Sequence, residues 1–459
     1  MRRVAALAFL AGSALPLHAQ SDRAALVARY DSLGQAFLQN APSMGATIAV
    51  VRGSDTLYLK GLGLQDSARG LPATATTVYR IGSITKQFTS AGIMRLVEQG
   101  KISLTDPLTK YLPEYQQWKA VTIRELLNHT SGIHSYTANP AWAKTWNDPL
   151  TPAQIVAFVA TDTFDFAPGS SYRYNNTGYV LLGMVLDKVT GHSYPQLVEE
   201  SMFKPLGMRT AAYCPSRPTD VRYAVGYDKD GNHTKAATYL DMTHPYSAGA
   251  LCMSVPDFLL WQTSLTNGKV VSPTSYALMT RGDSAGGKPT SYGFGLAPST
   301  LGTHRLVTHG GDVHGFSAAQ LWFPDDSLRV VVFTNTLGSG PGQLATNLAA
   351  ATLGLPLVRR QSMPPVVALA PDQRQRYVGT YDLALPGGRT LPLTVTADSN
   401  GVSAQAASQP KNALVYLGSD TFGAAFDPSL RLTIVFDAGR AAKAVLIQGG
   451  GTIEGPRRP

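Results

Sequence analysis

Strand-forming segments that are far apart in the sequence constrain the fold of this chain most. Residues 46–52 and 57–61 flank a turn at Gly53-Ser-Asp55, a pattern that predicts a β-hairpin. Strand patterns of similar strength return at 315–323 and 328–334, whereas residues 105–270 indicate short helices and loops interrupted by prolines. We therefore expect a mixed α/β fold in which one sheet is completed by distant segments and the middle of the chain is mostly helical.

A proline-rich segment at 355–371 contains few periodic apolar positions and indicates a linker. Short strand patterns follow at 391–396, 432–436 and 444–447, separated by Gly and Asp turns, and they predict a small antiparallel barrel or sandwich. The expected organisation is a signal peptide at 1–19, a main domain at 20–355, a linker at 356–370 and a C-terminal β-barrel domain at 371–459.

The N-terminus has the pattern of a secretory signal peptide. Arg2 and Arg3 precede an apolar run from Val4 to Leu17, and cleavage is expected after Ala19. The run is shorter than the roughly 20 residues that a membrane-spanning helix needs. No cysteine follows the expected cleavage site, so we expect a periplasmic or secreted protein without a stable membrane anchor.

The basic charge of the chain does not indicate a nucleic-acid partner. Its 39 Lys and Arg residues against 30 Asp and Glu residues give a formal net charge of +9, but the basic residues are scattered. A protein that follows a phosphate backbone needs a continuous basic surface, and the sequence shows no such stripe.

Cys214 and Cys252 are the two cysteines of the chain. In an oxidising compartment they are candidates for a disulfide bond, and the alternative is a pair of buried thiols.

The segment Ser83-Ile84-Thr85-Lys86 is the first candidate for chemistry, because a serine hydroxyl becomes a good nucleophile only when a base removes its proton. A helix that begins near Ser83 would place Ser83 and Lys86 on one face and the serine at the positive helix end. The same spacing occurs at Ser201–Lys204 and Ser408–Lys411. Only Ser83 stands between a strand pattern and a strong helix pattern, and the alternative role for it is a helix N-cap.

Two further segments contain candidate residues. Tyr174-Asn175-Asn176 combines a phenol that could relay protons with an amide that could hold a carbonyl group, although Asn is also common in ordinary turns. His309-Gly310-Gly311-Asp312 offers glycines that allow close approach to the backbone and an N–H group that could bind an oxyanion, although it could also be a simple glycine turn.

Taken together, these segments resemble the serine β-lactamase and penicillin-binding-protein superfamily, in its class C-like branch of D-Ala-D-Ala carboxypeptidases, D-aminopeptidases and esterases. The resemblance extends to Leu126-Leu-Asn-His-Thr-Ser-Gly-Ile133, Tyr292-Gly-Phe-Gly-Leu296 and Phe333-Thr-Asn335. It implies a β-lactamase/transpeptidase-like antiparallel sheet with flanking helices and a helical lobe. A small C-terminal antiparallel β-barrel is also found in many such hydrolases.

The resemblance also implies a role for each candidate residue. Ser83 would be the acylated nucleophile, Lys86 its base, and Tyr174 the residue that passes the proton to the leaving group. Asn176 and the segment His309-Gly310-Gly311 would bind substrate. The backbone N–H groups of Ser83 and Asp312 would form the oxyanion hole, and no metal or organic cofactor is implied.

His309 marks a departure from class C β-lactamases, which carry Lys-Thr-Gly at that place. Because histidine is only partly charged near neutral pH, the permanent anchor for a substrate carboxylate is lost. We therefore predict an exported serine hydrolase that acts on an amide or ester of a small molecule or short peptide, which could be cell-wall-related. The alternative within the family is a β-lactamase or a penicillin-binding D-Ala-D-Ala carboxypeptidase.

Two alternatives from other classes remain open at this point. His309, Asp312 and His314 lie within six residues, and His129 and His134 flank Thr-Ser-Gly, so a metal hydrolase is conceivable although the spacing fits no familiar zinc pattern. The scaffold could also be an inactive binding protein. Chelator treatment would identify a metal hydrolase, and a serine-reactive phosphonate would label a serine enzyme but not an inactive protein.

Overall fold

A computed structural model describes residues 17–40, 43–230, 233–358, 365–384, 390–406, 411–424, 427–448 and 451–459. Residues 1–16 of the expected signal peptide lie outside this range, and the first described helix begins at Leu17. The chain divides into two compact units, Met1–Val358 and Arg359–Pro459. Among the described residues, no helix combines the length and apolarity that crossing a membrane requires.

The first unit contains short strands, one long sheet and many short helices. Its strands are β1 (Gly45–Arg52), β2 (Asp55–Asp66), β3 (Leu71–Pro72), β4 (Tyr79–Arg80), β5 (Ala212–Tyr213), β6 (Tyr227–Asp230), β7 (His233–Ala236), β8 (Leu251–Met253), β9 (Ser284–Ala285), β10 (Lys288–Pro289), β11 (Ala297–Leu301), β12 (His304–Val313), β13 (Phe316–Phe323), β14 (Leu328–Thr334) and β15 (Thr336–Leu337). Its helices are α1 (Leu17–Asn40), α2 (Lys86–Glu98), α3 (Ile123–Leu127), α4 (Pro152–Ala157), α5 (Asn176–Thr190), α6 (Tyr194–Val198), α7 (Lys204–Leu206), α8 (Tyr246–Gly249), α9 (Val255–Thr266), α10 (Pro273–Thr280) and α11 (Pro341–Leu353). A 3₁₀ turn at Gly82–Thr85 precedes α2.

The main sheet joins the N-terminal hairpin to strands from the end of the unit, as the sequence predicts. Its order is β11-β12-β13-β14-β1-β2-β3, and β14 pairs with both β13 and β1 in antiparallel register. Every residue of β14 is buried because the strand is central and both of its faces are covered. The mixed α/β fold with a large antiparallel sheet is therefore confirmed.

The two faces of this sheet support different hydrophobic cores. Val330 and Val332 pack in a core with residues of α1 and α11. Val331 and Phe333, which point the opposite way, pack in a larger core with the helices of residues 86–280. Alternation along a single strand thus places the helical lobe on one face and the α1–α11 layer on the other.

The second unit is a nearly closed barrel of eight antiparallel strands, and this part of the predicted fold is also confirmed. After α12 (Pro371–Arg374), its strands pair in sequence order: β16 (Gly379–Ala384), β17 (Thr390–Asp398), β18 (Gly401–Ala406), β19 (Asn412–Gly418), β20 (Thr421–Ala424), β21 (Asp427–Asp437), β22 (Arg440–Gln448) and β23 (Gly451–Pro456). A bridge between Tyr381 and Arg457 brings the first strand to the last, and the Arg458 N–H donates to the Thr380 carbonyl over 2.7 Å.

The candidate disulfide between Cys214 and Cys252 is not formed in the structure, where both cysteines are buried free thiols. Strand β5 pairs Ala212 with Cys252, and the Cys214 N–H donates to the Ala250 carbonyl. The two cysteines are therefore diagonal neighbours, whose Cα atoms usually lie about 7–8 Å apart. A disulfide usually spans about 4.4–6.8 Å, so the thiols lie close together without being bonded.

Candidate active site

Ser83 and Lys86 are brought together by the 3₁₀ turn that precedes α2. In a 3₁₀ helix the side chains at positions i and i+3 lie directly above one another. The turn covers Gly82–Thr85, and Lys86 is the first residue of α2. No side chain caps either segment, so the hydroxyl of Ser83 is not used as an N-cap.

Two glycines allow the Ser83 turn to pack directly against strand β12. A Cβ atom on Gly82 would lie 2.8 Å from the backbone nitrogen of Asp312, and one on Gly311 would lie 2.0 Å from the carbonyl oxygen of Ile81. Gly82 also has a positive φ of 51°, which disfavours other residues. The backbone just before Ser83 is therefore held close to the backbone of Asp312.

Lys86 is fully buried, and its hydrogen-bond partners are all neutral. Its Nζ atom lies 3.0 Å from Ser83 Oγ, 2.9 Å from Asn176 Oδ1 and 2.9 Å from the Ala248 carbonyl oxygen. Burial without a neighbouring carboxylate disfavours the ammonium form and lowers the pKa of Lys86 well below its usual value. The lysine is thus suited to be a neutral amine.

A neutral amine has two N–H donors and one lone pair, and this count matches the three partners of Lys86. The Asn176 amide oxygen and the Ala248 carbonyl oxygen can only accept, so they take the two N–H groups. The lone pair is left for the hydroxyl proton of Ser83. In its neutral form the lysine would therefore accept from the Ser83 hydroxyl, whereas as an ammonium it donates to Ser83 Oγ.

Tyr174 and Asn176 lie where α5 begins, beside Lys86. Asn175 is the helix N-cap and accepts a hydrogen bond from the Gly178 N–H, which is the ordinary role of Asn in such a segment. Asn176 instead reaches Lys86, and the ring centroid of Tyr174 lies 4.8 Å from the Lys86 Nζ atom.

The Tyr174 phenol is held in its protonated form. Although 37% of the residue surface is exposed, desolvation raises the pKa of Tyr174 well above its usual value, and a hydrogen bond with Ser83 offsets only part of this rise. Burial also lowers the pKa of the neighbouring Lys86, which works against a cation beside the phenol. A protonated phenol next to Ser83 can donate a proton.

His309 is a neutral residue of strand β12 rather than part of a glycine turn. Its Nε2 atom lies 2.7 Å from the Tyr292 hydroxyl and its Nδ1 atom lies 2.5 Å from the Gly310 carbonyl oxygen. Because a carbonyl only accepts, Nδ1 carries the proton and Nε2 accepts from Tyr292. Burial lowers the pKa of His309 to about 4, so no imidazolium is present here at neutral pH.

Tyr292 and His129 belong to the site, although the sequence assigned no role to Tyr292 and considered His129 only for the metal hydrolase. His129 is buried with a positive φ of 62°, and its ring centroid lies 4.3 Å from that of Tyr174 and 4.5 Å from that of Tyr292. Its Nδ1 atom accepts from the Asn175 N–H over 3.1 Å, and burial lowers its pKa. Both residues lie in segments that carry the family resemblance, which was the available signal.

The Ser83 cleft is a cavity of about 120 Å³ with a largely apolar wall. Its apolar lining residues are Tyr136, Trp142, Leu240, Pro245 and Val313. Side chains alternate along β12, so the side chain of Asp312 lies on the same face as Leu306, which packs in the α1–α11 core. The Asp312 carboxylate accepts a hydrogen bond from Ser317 Oγ. Val313, on the other face, packs in the core of the helical lobe. Asp312 is still among the residues that line the cleft, and its negative charge contributes to the raised pKa of Tyr174.

The proposed metal-binding residues are not arranged as a ligand set. His309 and Asp312 point to opposite faces of β12, and His314 Nδ1 lies 3.1 Å from the Thr238 carbonyl oxygen. His134 pairs with Asp165 instead. Within the described ranges, no group of three or more His, Cys, Asp or Glu residues could hold a metal ion.

The second Ser-x-x-Lys segment has ordinary structural contacts. Ser201 Oγ donates to the Leu197 carbonyl, and Lys204 forms an ion pair with Glu199. Ser408 of the third segment lies outside the described residues. Ser83 is therefore the described serine of this pattern whose hydroxyl meets the lysine.

Comparison with known proteins shows the family of this chain. A family model described as Beta-lactamase matches residues 31–354. PbpX of Bacillus subtilis, a protein named for penicillin binding, is 28% identical over 291 residues, which cover 63% of this chain and 70% of that protein.

Two solved structures extend the comparison. The octameric penicillin-binding protein homologue from Pyrococcus abyssi superposes with a TM-score of 0.67 at 26% identity, covering 93% of this chain and 99% of that one. The D-stereospecific amidohydrolase from Streptomyces sp. superposes with a TM-score of 0.61 at 28% identity, covering 71% and 99%. Because the family model spans more than half of the sequence, the chain belongs to the β-lactamase family of hydrolases.

Proposed function

We propose that this protein is an exported serine hydrolase that forms an acyl-enzyme at Ser83 and hydrolyses an amide or ester. The observation that carries the proposal is the set of contacts of the buried Lys86 amine. Its Nζ atom lies 3.0 Å from the Ser83 hydroxyl oxygen, and its other two partners are neutral acceptors. A serine needs such a base to become nucleophilic at neutral pH.

In the acylation step, Ser83 Oγ bonds to the substrate carbonyl carbon while its proton moves to Lys86 Nζ. Negative charge then develops on the carbonyl oxygen, which the backbone N–H groups of Ser83 and Asp312 would stabilise. Loss of one such donor typically costs about 2.7–4 kcal/mol in the activation barrier. The close approach of Gly82 to Asp312 supports this assignment.

Collapse of the tetrahedral intermediate breaks the bond to the leaving group, which must take up a proton if it is an amine or alkoxide. Tyr174 supports this step because its phenol is protonated and in contact with Ser83. Lys86, now carrying the serine proton, would return a proton to the resulting Tyr174 phenolate, and its Nζ atom lies 4.8 Å from the centroid of that ring. In deacylation, the same groups would take a proton from water and return it to Ser83.

The charges around Ser83 favour a substrate without a carboxylate next to the reacting carbonyl. Burial lowers the pKa of Lys86 well below its ordinary value and the pKa of His309 to about 4, so burial works against a permanent cation at either residue. The apolar wall of the cleft favours an uncharged acyl group there. This supports an amidase or esterase over a D-Ala-D-Ala carboxypeptidase, and the D-stereospecific amidohydrolase relative is consistent with that choice.

The proposal is tested by turnover of p-nitrophenyl esters, D-amino-acid amides and a penicillin by the wild type, Ser83→Ala and Ser201→Ala. Ser201 belongs to the other described Ser-x-x-Lys segment and is the matched control. We expect Ser83→Ala to abolish turnover of every substrate and Ser201→Ala to retain it. Turnover that survives in Ser83→Ala would refute the mechanism, and sensitivity to a chelator would favour the metal hydrolase.

A further inference from the structure

A second cavity of about 290 Å³ lies next to the Ser83 cleft. His314 lines both cavities, so the two meet at this side chain. Its ring packs against Trp146 with centroids 4.4 Å apart, and its Nδ1 atom donates to the Thr238 carbonyl oxygen. Nε2 is then unprotonated, and burial lowers the pKa of His314, so the boundary between the cavities is a neutral ring.

Arg80 is the charged group of this second cavity that has no counter-charge. Its guanidinium donates to the Ser216 carbonyl oxygen over 3.1 Å and lies 5.7 Å from the ring centroid of Phe316. Among the described residues, no carboxylate forms an ion pair with it within 4.0 Å. A guanidinium remains protonated in proteins, so Arg80 brings a full positive charge to the cavity wall.

Arg69 and Asp220, which also line the cavity, are each already in an ion pair with an opposite charge. Arg69 is paired with Asp66, and Asp220 is paired with Arg222, each over 2.5 Å. Asp228 is near His314 but does not line this cavity; it accepts from the Thr238 N–H, and its other carboxylate oxygen is buried without a hydrogen-bond partner among the described residues. The remaining wall is aromatic or aliphatic, with Val78, Tyr223, Tyr239 and Phe316 among its members.

We propose that this second cavity is a substrate subsite in which Arg80 binds a carboxylate carried by the part of the substrate that extends past His314. This inference rests on the proposed function and adds the substrate class. The substrate would be an amide or ester that carries no charge near the reacting carbonyl and has a carboxylate further away. Arg80 suits this role because its planar fork can donate two parallel hydrogen bonds to one carboxylate.

The position of Arg80 along the chain links the two cavities mechanically. Strand β4 carries Arg80, and Ile81 and Gly82 connect it directly to the Ser83 turn. In the β4–β8 strand pair, Arg80 lies opposite Cys252. Strand β8 begins shortly after Ala248, whose carbonyl oxygen contacts Lys86 Nζ. A carboxylate bound at Arg80 would therefore be held against the same rigid segment that carries the nucleophile, which positions the reacting carbonyl.

The test measures binding of hexanoate and of its neutral isostere hexanamide by isothermal titration calorimetry. We expect the wild type to bind hexanoate at least tenfold more tightly, Arg80→Gln to lose that preference, and Arg80→Lys to keep part of it. Arg29→Gln, an exposed arginine of α1, is the charge-matched control and should behave as the wild type. Equal affinity for the two probes in the wild type, or a preference that survives in Arg80→Gln, would overturn the proposal.

A kinetic measurement asks whether the carboxylate site belongs to the substrate path. Acetate, hexanoate and decanoate are compared as inhibitors of the hydrolysis of a neutral p-nitrophenyl ester, since a longer chain extends further from Arg80 past His314 toward Ser83. Competitive inhibition that strengthens with chain length and disappears in Arg80→Gln supports the subsite. Carboxylate binding without competition at any length contradicts it. If no ester is hydrolysed, the proposed function fails, and the calorimetric comparison still decides the role of Arg80.

Discussion

The Nζ atom of Lys86 lies 3.0 Å from the Oγ atom of Ser83, and no part of the lysine is exposed to solvent. The contact depends on a 3₁₀ turn that stacks the two side chains and on neutral acceptors that engage the other amine protons. In the proposed function this contact makes Ser83 the nucleophile and Lys86 its base, and each prediction below concerns one part of this arrangement.

Lys86→Arg should be inactive although it keeps a long basic side chain. A guanidinium stays protonated in proteins and cannot accept the Ser83 proton. Because general-base catalysis typically contributes 10²- to 10⁴-fold, we expect kcat for an ester substrate to fall by about that factor. Steady-state kinetics together with a thermal unfolding curve separate this loss from misfolding. A folded Lys86→Arg variant with normal kcat would show that Lys86 is not the base.

Tyr174→Phe should impair amide hydrolysis more than hydrolysis of a p-nitrophenyl ester. An amine must be protonated as it leaves, whereas p-nitrophenolate leaves without a proton. The raised pKa of Tyr174 keeps its phenol available as the donor. We expect acylation by the amide to slow by about 10²-fold or more and acylation by the ester much less, measured as single-turnover rates. Equal losses for both substrates would instead assign Tyr174 to positioning.

Gly311→Ala and Gly310→Ala should differ although the two glycines are adjacent. A Cβ atom at Gly311 would lie 2.0 Å from the Ile81 carbonyl oxygen, whereas one at Gly310 meets only the Ala318 carbonyl oxygen at 3.6 Å. We expect Gly311→Ala to displace the Ser83 turn and so to lower kcat. We also expect it to lower the free energy of unfolding by roughly 1–3 kcal/mol. Gly310→Ala should remain folded and active, and equal behaviour of the two variants would contradict the close packing.

His309 should make the protein less stable as the pH falls. Its pKa is about 4 in the folded protein, below the ordinary value of about 6.5, so the unfolded chain binds this proton more readily. The stability is fully present above about pH 6.5 and is lost as the pH falls toward 4. The pKa of His129 is lowered as well, so part of the dependence will remain in a His309 variant.

Urea unfolding between pH 4.5 and 7.5 tests this prediction on His309→Gln, with His192→Gln, an exposed histidine, as the control. We expect His309→Gln to have a flatter pH dependence than the wild type and His192→Gln to have the same dependence. A dependence that is unchanged in His309→Gln would mean that the imidazole is not held neutral.

The sequence predicted the parts of the fold that depend on local pattern. The strands β13 and β14, the helix α2 and the barrel strands β17, β21 and β22 follow from alternation, periodicity and turn residues. The pairing of β1 with β14 could be expected because distant strand patterns had to share one sheet. Strands such as β18 and β20 were not predicted, because they are short and their residues are small or polar.

The candidate site could be predicted only in part, since its chemistry depends on tertiary contacts. Ser83, Lys86, Tyr174 and Asn176 were found from their motifs, and the structure brings their side chains together. The lowered pKa values of Lys86 and His309 follow from burial, which no local pattern reveals. Tyr292 contacts His309 from 17 residues earlier in the chain, and the close approach of Cys214 to Cys252 depends on strand register.

An intact-mass time course with a penicillin and with a serine-reactive phosphonate tests the central claim most directly, using the wild type beside Ser83→Ala and Ser201→Ala. We predict that the phosphonate adds one mass increment to the wild type and to Ser201→Ala, that peptide mapping places it on Ser83, and that Ser83→Ala stays unmodified. The lifetime of any penicillin adduct then separates a penicillin-binding protein from a β-lactamase. Labelling of Ser83→Ala at the wild-type rate, or a wild type that resists the phosphonate, would contradict Ser83 as the acylated nucleophile.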